Sequence, residues 1–91
     1  SIMPENPRIH FNLGVAYWQL EQREKAATAI KVAFNLEPAN PEFPQALAQL
    51  YGQENRWKDA LPYAEKVVAL MPENPQAKAF LAQVRTRAVQ R

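Results

Sequence analysis

The chain lacks cysteine altogether, and among its 91 residues it has a single histidine, His10, and two glycines. The absence of cysteine excludes disulfides, zinc–thiolate sites and thiol nucleophiles. One histidine is too few for a multi-histidine metal centre, and it has no pattern of catalytic partners around it. The sequence therefore predicts a protein that is not an enzyme and that holds no metal or other cofactor.

Long apolar runs and a strong charge of one sign are missing as well. No run of about 18 apolar residues is present, which predicts no membrane-spanning helix. The net charge of +2 is too small to indicate nucleic acid by itself. Arg85, Arg87 and Arg91 suit the C-terminal end of a helix, where cations are stabilised by the helix dipole. We expect no membrane and no nucleic-acid partner, and the cellular compartment stays open.

What the sequence does contain is a short proline-marked phrase that recurs at a fixed spacing. Its copies span residues 4–7, 38–41 and 72–75, so the step from each copy to the next is the same. A period of this length, about 34 residues, is typical of stacked-repeat proteins. In each copy the first proline cannot continue a helix, the asparagine is a good N-cap and the second proline suits the first helical position. Each phrase is therefore expected to end one helix, where one precedes it, and to begin another.

The hydrophobic spacing between the phrases predicts five helices joined by short turns. Their expected ranges are 7–20, 23–36, 41–53, 57–70 and 75–89. In the first helix Leu13, Ala16, Tyr17 and Leu20 recur at helical spacing and are expected to face a core. In the last helix the expected buried row is Leu81, Ala82 and Val84. Short turns place consecutive helices antiparallel to each other.

Large, small and aromatic residues recur at matching places in successive units of this period. The first unit has Leu13, Gly14, Tyr17, Ala26, Ile30, Ala33 and Pro38. The second has Leu47, Ala48, Tyr51, Ala60, Ala64, Val67 and Pro72. This pattern closely resembles the tetratricopeptide repeat. The resemblance implies an all-α, right-handed α-solenoid of antiparallel helix pairs that forms a single domain over residues 1–91.

Within that domain the resemblance places one repeat at about 7–40, a second at about 41–74 and a capping helix at about 75–90. Charged residues at two core-type positions of the last helix, Lys78 and Arg85, lead us to expect that no further repeat stacks on it.

The resemblance also implies a protein-interaction scaffold whose concave groove holds a peptide or a partner's helix. Phe11, Val15 and Trp18 form a second apolar stripe on the first helix, nearly opposite the core stripe. We expect this stripe, followed by glutamines and then by a basic end, to bind the partner. The candidate site residues are Phe11, Val15, Trp18, Gln45, Gln49, Gln83 and Arg87.

Some members of the family grip an acidic C-terminal tail with lysine, asparagine and arginine. The matching positions here are Phe11, Val15, Ala46, Gln76 and Phe80, none of which attracts a carboxylate by charge. We therefore expect a partner of another kind.

Two alternatives stay open at this point. The chain is either a free interaction module or a structural, oligomerisation or docking segment of a larger multidomain protein, such as a bacterial enzyme or cytochrome. In the second case the Phe11, Val15 and Trp18 face packs on another part of that protein or on a second copy of this chain.

Overall fold

The computed structural model describes residues 6–90, which form five α-helices and no strand. The helices are α1 (Pro7–Gln19), α2 (Arg23–Leu36), α3 (Glu42–Gln53), α4 (Trp57–Leu70) and α5 (Pro75–Val89). Each helix packs against the next one along the chain, and the assembly is elongated, with extents of 48 × 30 × 15 Å. The prediction of an all-α repeat architecture is confirmed.

The asparagine of each proline-marked phrase caps the helix that follows it. The Oδ1 atom of Asn6 accepts a hydrogen bond from the Arg8 amide at 2.9 Å, Asn40 from the Glu42 amide at 2.9 Å, and Asn74 from the Ala77 amide at 3.0 Å. α3 begins at Glu42, one residue later than expected. The role predicted for Pro4 falls outside the described residues. Because the same capping hydrogen bond occurs at all three phrases, the phrase marks the start of a helix.

The turns inside the two repeats have the same backbone geometry. Glu21 and Asn55, which occupy the same place in successive repeats, both have φ of 61°, in the left-handed region. The Gln22 amide donates to the Tyr17 carbonyl and the Glu21 amide to the Trp18 carbonyl, both at 2.9 Å. These are the two hydrogen bonds of a Schellman motif, which favours glycine at the left-handed position.

Small residues let the helices of a pair approach closely. Ala26, Ala33, Ala48 and Ala60 are completely buried in the core. Gly14 lies so near α2 that a Cβ added to it would sit 2.5 Å from Ile30 Cγ1 and 3.1 Å from the Ala26 carbonyl oxygen. The α1–α2 contact therefore depends on the missing side chain at position 14.

The expected core face of α1 is partly wrong. Leu13 is 44% exposed and Leu20 67% exposed, and Ala16 is exposed as well. The buried side of α1 is centred on Gly14, which faces α2. Helical spacing identifies an apolar stripe, but the stripe is buried only where a neighbouring helix packs on it. α2 packs on α3 in this way, whereas no helix among residues 6–90 covers the corresponding side of α1.

The last helix departs from the expected buried row at one place. Leu81 and Val84 are buried, whereas Ala82 is exposed. Arg85 is exposed, as a residue on an uncovered face would be, and its Nη2 lies 3.9 Å from Glu65 Oε2 on α4. The charge at position 85 is therefore matched across the α4–α5 contact.

An ion-pair network joins the turns of the two repeats. Arg56 donates to Glu24 Oε2 at 2.8 Å and to Asp59 Oδ2 at 2.9 Å, and Glu54 lies 3.7 Å from both Arg23 and Arg56. The hydrogen bonds that Arg56 donates to the carboxylates of Asp59 and Glu24 raise the pKa of its guanidinium. The network holds the start of α4 against α2.

Candidate functional site

Three neighbouring cavities lie along the face formed by α1, α3 and α5. The smallest, about 140 Å³, is lined by Val15, Trp18, Ile30, Ala46, Gln49, Leu50 and Gln53. A second, about 240 Å³, is lined by Gln49, Gly52, Gln53, Trp57 and Phe80. A third, about 400 Å³, is lined by Gln45, Gln49, Val67, Met71, Asn74, Gln76, Ala77 and Phe80. We call this set of cavities the groove.

Gln49 is the residue that these cavities share, since it lines all three of them. It is exposed on α3, between the other two groove helices. A glutamine side chain offers one acceptor oxygen and two donor hydrogens. Gln49 can therefore bond both the carbonyl and the amide of a peptide backbone laid along the groove.

The groove carries no charged side chain among the residues that line its three cavities. The lining consists of aliphatic and aromatic side chains together with amides from glutamine and asparagine. Amides form hydrogen bonds without a net charge, so they favour an uncharged ligand surface. This chemistry differs from that of the cavity between α4 and α5, which Arg56, Lys58, Asp59 and Arg87 line.

Trp18 is half-buried and provides an aromatic wall for the smallest cavity. The guanidinium carbon of Arg23 lies 5.1 Å from the centroid of its ring, within the range of a cation–π contact. Val15, one turn earlier on α1, is 37% exposed and lines the same cavity. Two members of the predicted apolar stripe thus lie side by side.

Phe11, the third member of that stripe, lies in a different environment. Its ring centroid is 5.3 Å from that of Phe43, and the Arg8 guanidinium lies 5.3 Å and 5.7 Å from the two rings. Arg8 also donates to both carboxylate oxygens of Glu42, at 2.8 and 3.0 Å. These hydrogen bonds lower the pKa of Glu42 and raise that of Arg8. Phe11 thus packs in the contact between α1 and α3.

The remaining predicted residues divide between the groove and other surfaces. Gln45 lines the largest groove cavity. Gln83 is exposed on α5 and lines none of the cavities described for residues 6–90. The guanidinium carbon of Arg87 lies 5.4 Å from the centroid of the Trp57 ring. Arg87 also lines the separate cavity of about 480 Å³ between α4 and α5. The structure thus brings together Val15, Trp18, Gln45 and Gln49, but not Gln83 or Arg87.

Several groove residues were not among the candidate site residues, and Phe80 and Ala46 are the most informative of these, since they had been named only as positions that match the family's tail-gripping residues. Phe80 lines two of the three cavities and Ala46 lines the smallest. They are separated by one full period of the phrase and therefore occupy the same place in successive units. Following that place through the repeats would have identified both as groove positions.

The described residues contain neither a metal-binding cluster nor a membrane-spanning helix. Among residues 6–90, no group of three or more histidine, cysteine, aspartate or glutamate side chains is arranged to hold a metal ion. Within the same residues, none of the helices has the length and apolar character that crossing a membrane requires.

Comparison with known families adds to this geometry. The family model described as "YpiA-like, C-terminal tetratricopeptide repeats" matches residues 7–74. The chain belongs to the tetratricopeptide repeat family. Tetratricopeptide repeats are helical protein-interaction modules and are generally non-catalytic. A search of curated protein sequences gives no match.

Proposed function

We propose that this tetratricopeptide repeat chain binds an uncharged segment of a partner protein in the groove. The observation that carries the proposal is the lining of the three cavities, which is apolar and amide-rich and has no charged side chain. Apolar pockets with a few polar groups that fix orientation are typical of binding sites. The chain acts by offering this surface, without catalysis.

The smallest cavity serves as the anchor pocket. Val15 and Trp18 form one wall, and the pocket floor is made by Ile30 and Leu50, which are 3% and 5% exposed. Burying an aliphatic side chain of the partner there would contribute about 1.5–3 kcal/mol. Large aromatic walls of this kind are enriched at the energetically dominant centres of interfaces.

The glutamines of α3 and α5 fix the orientation of the partner's backbone. Gln45, Gln49, Gln53 and Gln76 border the cavities that follow the anchor pocket. Their amides can bond an extended strand or the polar side of a helix. Because no ion pair contributes, binding should depend little on salt.

Peptide selection from a random display library, followed by titration of the selected peptides, tests this proposal. The expected ligands are neutral, with one large apolar residue, and their Kd should change less than about threefold between 0.05 and 0.5 M NaCl. Gln49→Ala should weaken binding about tenfold, and Trp18→Ala should weaken it at least as much.

Asn35→Ala is the matched control, because Asn35 is exposed on α2 and lines none of the groove cavities. It should leave Kd unchanged. Selection of acidic peptides whose affinity falls steeply with salt, or equal effects of Gln49→Ala and Asn35→Ala, would contradict the proposal.

Self-association through the Phe11, Val15 and Trp18 face is less well supported. Phe11 and Trp18 are already half-buried against the chain's own core, and Val15 alone of the three is exposed. Sedimentation of the chain over a range of concentrations distinguishes the two functions, since we expect a monomer whose groove is open.

A further inference from the structure

The cavity of about 480 Å³ between α4 and α5 shares a single lining residue with the groove and has a different chemistry. The side chains that line it are those of Asn55, Arg56, Trp57, Lys58, Asp59, Arg87, Ala88 and Gln90. Three of these carry a positive charge and one a negative charge, so the lining has a net charge of +2. The whole chain has the same net charge, +2. The charges of all other residues therefore cancel, and the excess lies at this cavity.

Two of the three cations in this cavity have no carboxylate partner within residues 6–90. Arg56 donates to Asp59 Oδ2 at 2.9 Å and to Glu24 Oε2 at 2.8 Å, so its charge is matched. The ion pairs of the described residues include neither Lys58 nor Arg87. The excess positive charge of the cavity therefore belongs to these two side chains.

Arg87 is held beside the cavity by an aromatic ring rather than by a charge. Its guanidinium carbon lies 5.4 Å from the centroid of Trp57, within the range of a cation–π contact. Trp57 is half-buried and packs against the core, which fixes its ring. The contact restrains the Arg87 side chain but supplies no carboxylate or carbonyl acceptor, so its donors stay available to a ligand.

The same place one period earlier in the chain carries its own anions. Glu54 is the counterpart of Ala88, and its carboxylate lies 3.7 Å from each of two arginines. The counterpart of Lys58 is Glu24, which pairs with an arginine as well. At the later place a methyl group and a cation thus stand where the earlier place has two carboxylates. The α4–α5 contact reaches the charge balance of the α2–α3 contact only with an anion from outside the described residues.

Two unmatched cations are best matched by one doubly charged anion. A carboxylate brings one negative charge, and each phosphate of a nucleic-acid backbone also brings one. A phosphate monoester carries about −1.5 to −2 at pH 7 and presents three strong acceptor oxygens. Arg87 and Lys58 can form charge-assisted hydrogen bonds to these oxygens, and the side-chain amides of Asn55 and Gln90 add uncharged donors. A phosphate monoester therefore suits this cavity better than a single carboxylate or a nucleic-acid phosphate.

We propose that the cavity between α4 and α5 binds the phosphate monoester group of a ligand, with Lys58 and Arg87 as its charge partners. The phosphate lies beside Ala88, at the place that the repeat register gives to the Glu54 carboxylate in the preceding contact. A phosphorylated side chain of a partner protein and a small phosphorylated molecule both carry this group. The site does not depend on the groove, so a failure of this proposal leaves the proposed function intact, and the reverse holds too.

Titration of the isotope-labelled full chain with three capped tripeptides, followed by amide NMR, tests the site. The central residue of the peptide is phosphoserine, glutamate or serine, and the flanking residues are glycine. We expect the phosphoserine peptide to shift the amide resonances of residues 55–59 and 87–90. The glutamate peptide should bind about threefold more weakly or less tightly still, because it matches only one of the two cations. The serine peptide should not bind.

Substitutions around the cavity identify its charge partners. Arg87→Gln and Lys58→Gln, both at exposed positions, should each weaken binding of the phosphoserine peptide about three- to tenfold. Ala88→Glu should abolish it by supplying a carboxylate in the register of Glu54, provided that circular dichroism shows a folded protein. Lys78→Gln is the matched control and should leave the affinity unchanged, because Lys78 is an exposed cation of α5 that lines none of the cavities described for residues 6–90.

The pH dependence of binding tests the double charge of the ligand. The second pKa of phosphoserine is about 6, so its doubly charged fraction falls about tenfold between pH 7.5 and 5.0. Lysine and arginine keep their charge over this range, whereas protonation of Asp59 or Glu24 would make the cavity more positive and strengthen binding. The affinity for the phosphoserine peptide should therefore fall about fivefold or more, and the affinity for the glutamate peptide should change little.

Four outcomes would overturn the proposal. They are equal binding of the phosphoserine and serine peptides, equal affinities of the wild type and Arg87→Gln, an affinity for the phosphoserine peptide that is unchanged at pH 5.0, and tighter binding of a single-stranded DNA oligonucleotide, which would assign the cavity to nucleic acid. Inorganic phosphate, titrated in the same assay, distinguishes the two sources of the group. Tighter binding of the phosphoserine peptide supports a phosphorylated protein segment, and tighter binding of inorganic phosphate supports a small molecule.

Discussion

Gly14→Ala should destabilise the protein, although alanine is the better helix former. In an exposed helix interior the change from glycine to alanine stabilises by about 1 kcal/mol. At position 14 the new methyl group would lie 2.5 Å from Ile30 Cγ1 and 3.1 Å from the Ala26 carbonyl oxygen. Carbon atoms in contact are normally about 3.5–4.0 Å apart, so α1 and α2 would have to separate by about 1 Å.

The neighbours of Gly14 leave little room for adjustment. Ile30 is 3% exposed and its Cγ1 is close to the backbone, while the carbonyl of Ala26 belongs to the α2 backbone itself. Overpacking of such a contact typically costs about 1–3 kcal/mol and occasionally more. After subtraction of the gain in helix propensity, we expect a net loss of up to about 2 kcal/mol in the free energy of unfolding.

Urea unfolding followed by circular dichroism measures this loss, and two controls accompany it. Ala82→Gly changes the same repeat position in α5, where the residue is exposed, and should lose only about 1 kcal/mol through helix propensity. Combining Gly14→Ala with Ile30→Ala removes the 2.5 Å contact and leaves the 3.1 Å approach to the Ala26 carbonyl, so alanine at position 14 should cost less in the Ile30→Ala protein than in the wild type. A Gly14→Ala protein more stable than the wild type would refute the close approach of α1 and α2.

Three further predictions concern the turns and the charges. Glu21→Gly should stabilise by about 0.5–1 kcal/mol in thermal unfolding, because the residue is held in the left-handed region, and Asn55→Gly should stabilise less, since asparagine tolerates that region. Arg56→Met should lower the melting temperature at low salt, because it breaks the ion pairs with Glu24 and Asp59. The difference in melting temperature between the variant and the wild type should shrink in 1 M NaCl. An equal difference at both salt concentrations would contradict the electrostatic origin. The hydrogen bonds from Arg8 lower the pKa of Glu42, so the stability they provide is present above the ordinary carboxyl pKa of about 4.3 and is lost as the pH falls below it. The stability difference between the wild type and Glu42→Gln should therefore vanish in acid, and a difference that persists at pH 2 would count against this assignment.

Much of the fold was determined by local sequence alone. The asparagine and prolines of the repeated phrase set the helix starts, because capping involves only the residues of one turn. The constant period of the phrase predicted the helix pairs, and four of the five helices begin at the residue that was expected. These features could be derived from the sequence because each depends on neighbours close in the chain.

The groove was partly predictable for the same reason. Helical periodicity identified Val15 and Trp18 as a second apolar stripe, and these residues share a cavity in the structure. The periodicity could not predict that Phe11 packs against Phe43, because that contact joins residues of different repeats. Similarly, the distance along the chain between Arg87 and Trp57 gave no indication that their side chains would meet.

Only the tertiary structure decided which apolar residues are covered. Leu13 and Leu47 have the same place in the repeat, yet one is 44% exposed and the other is completely buried. A periodic pattern determines which side of a helix is apolar, whereas burial depends on whether another helix packs against that side. The sequence by itself therefore determined the helices and their register, and the packing of α2 against α3 decided which of the equivalent apolar residues lie in the core.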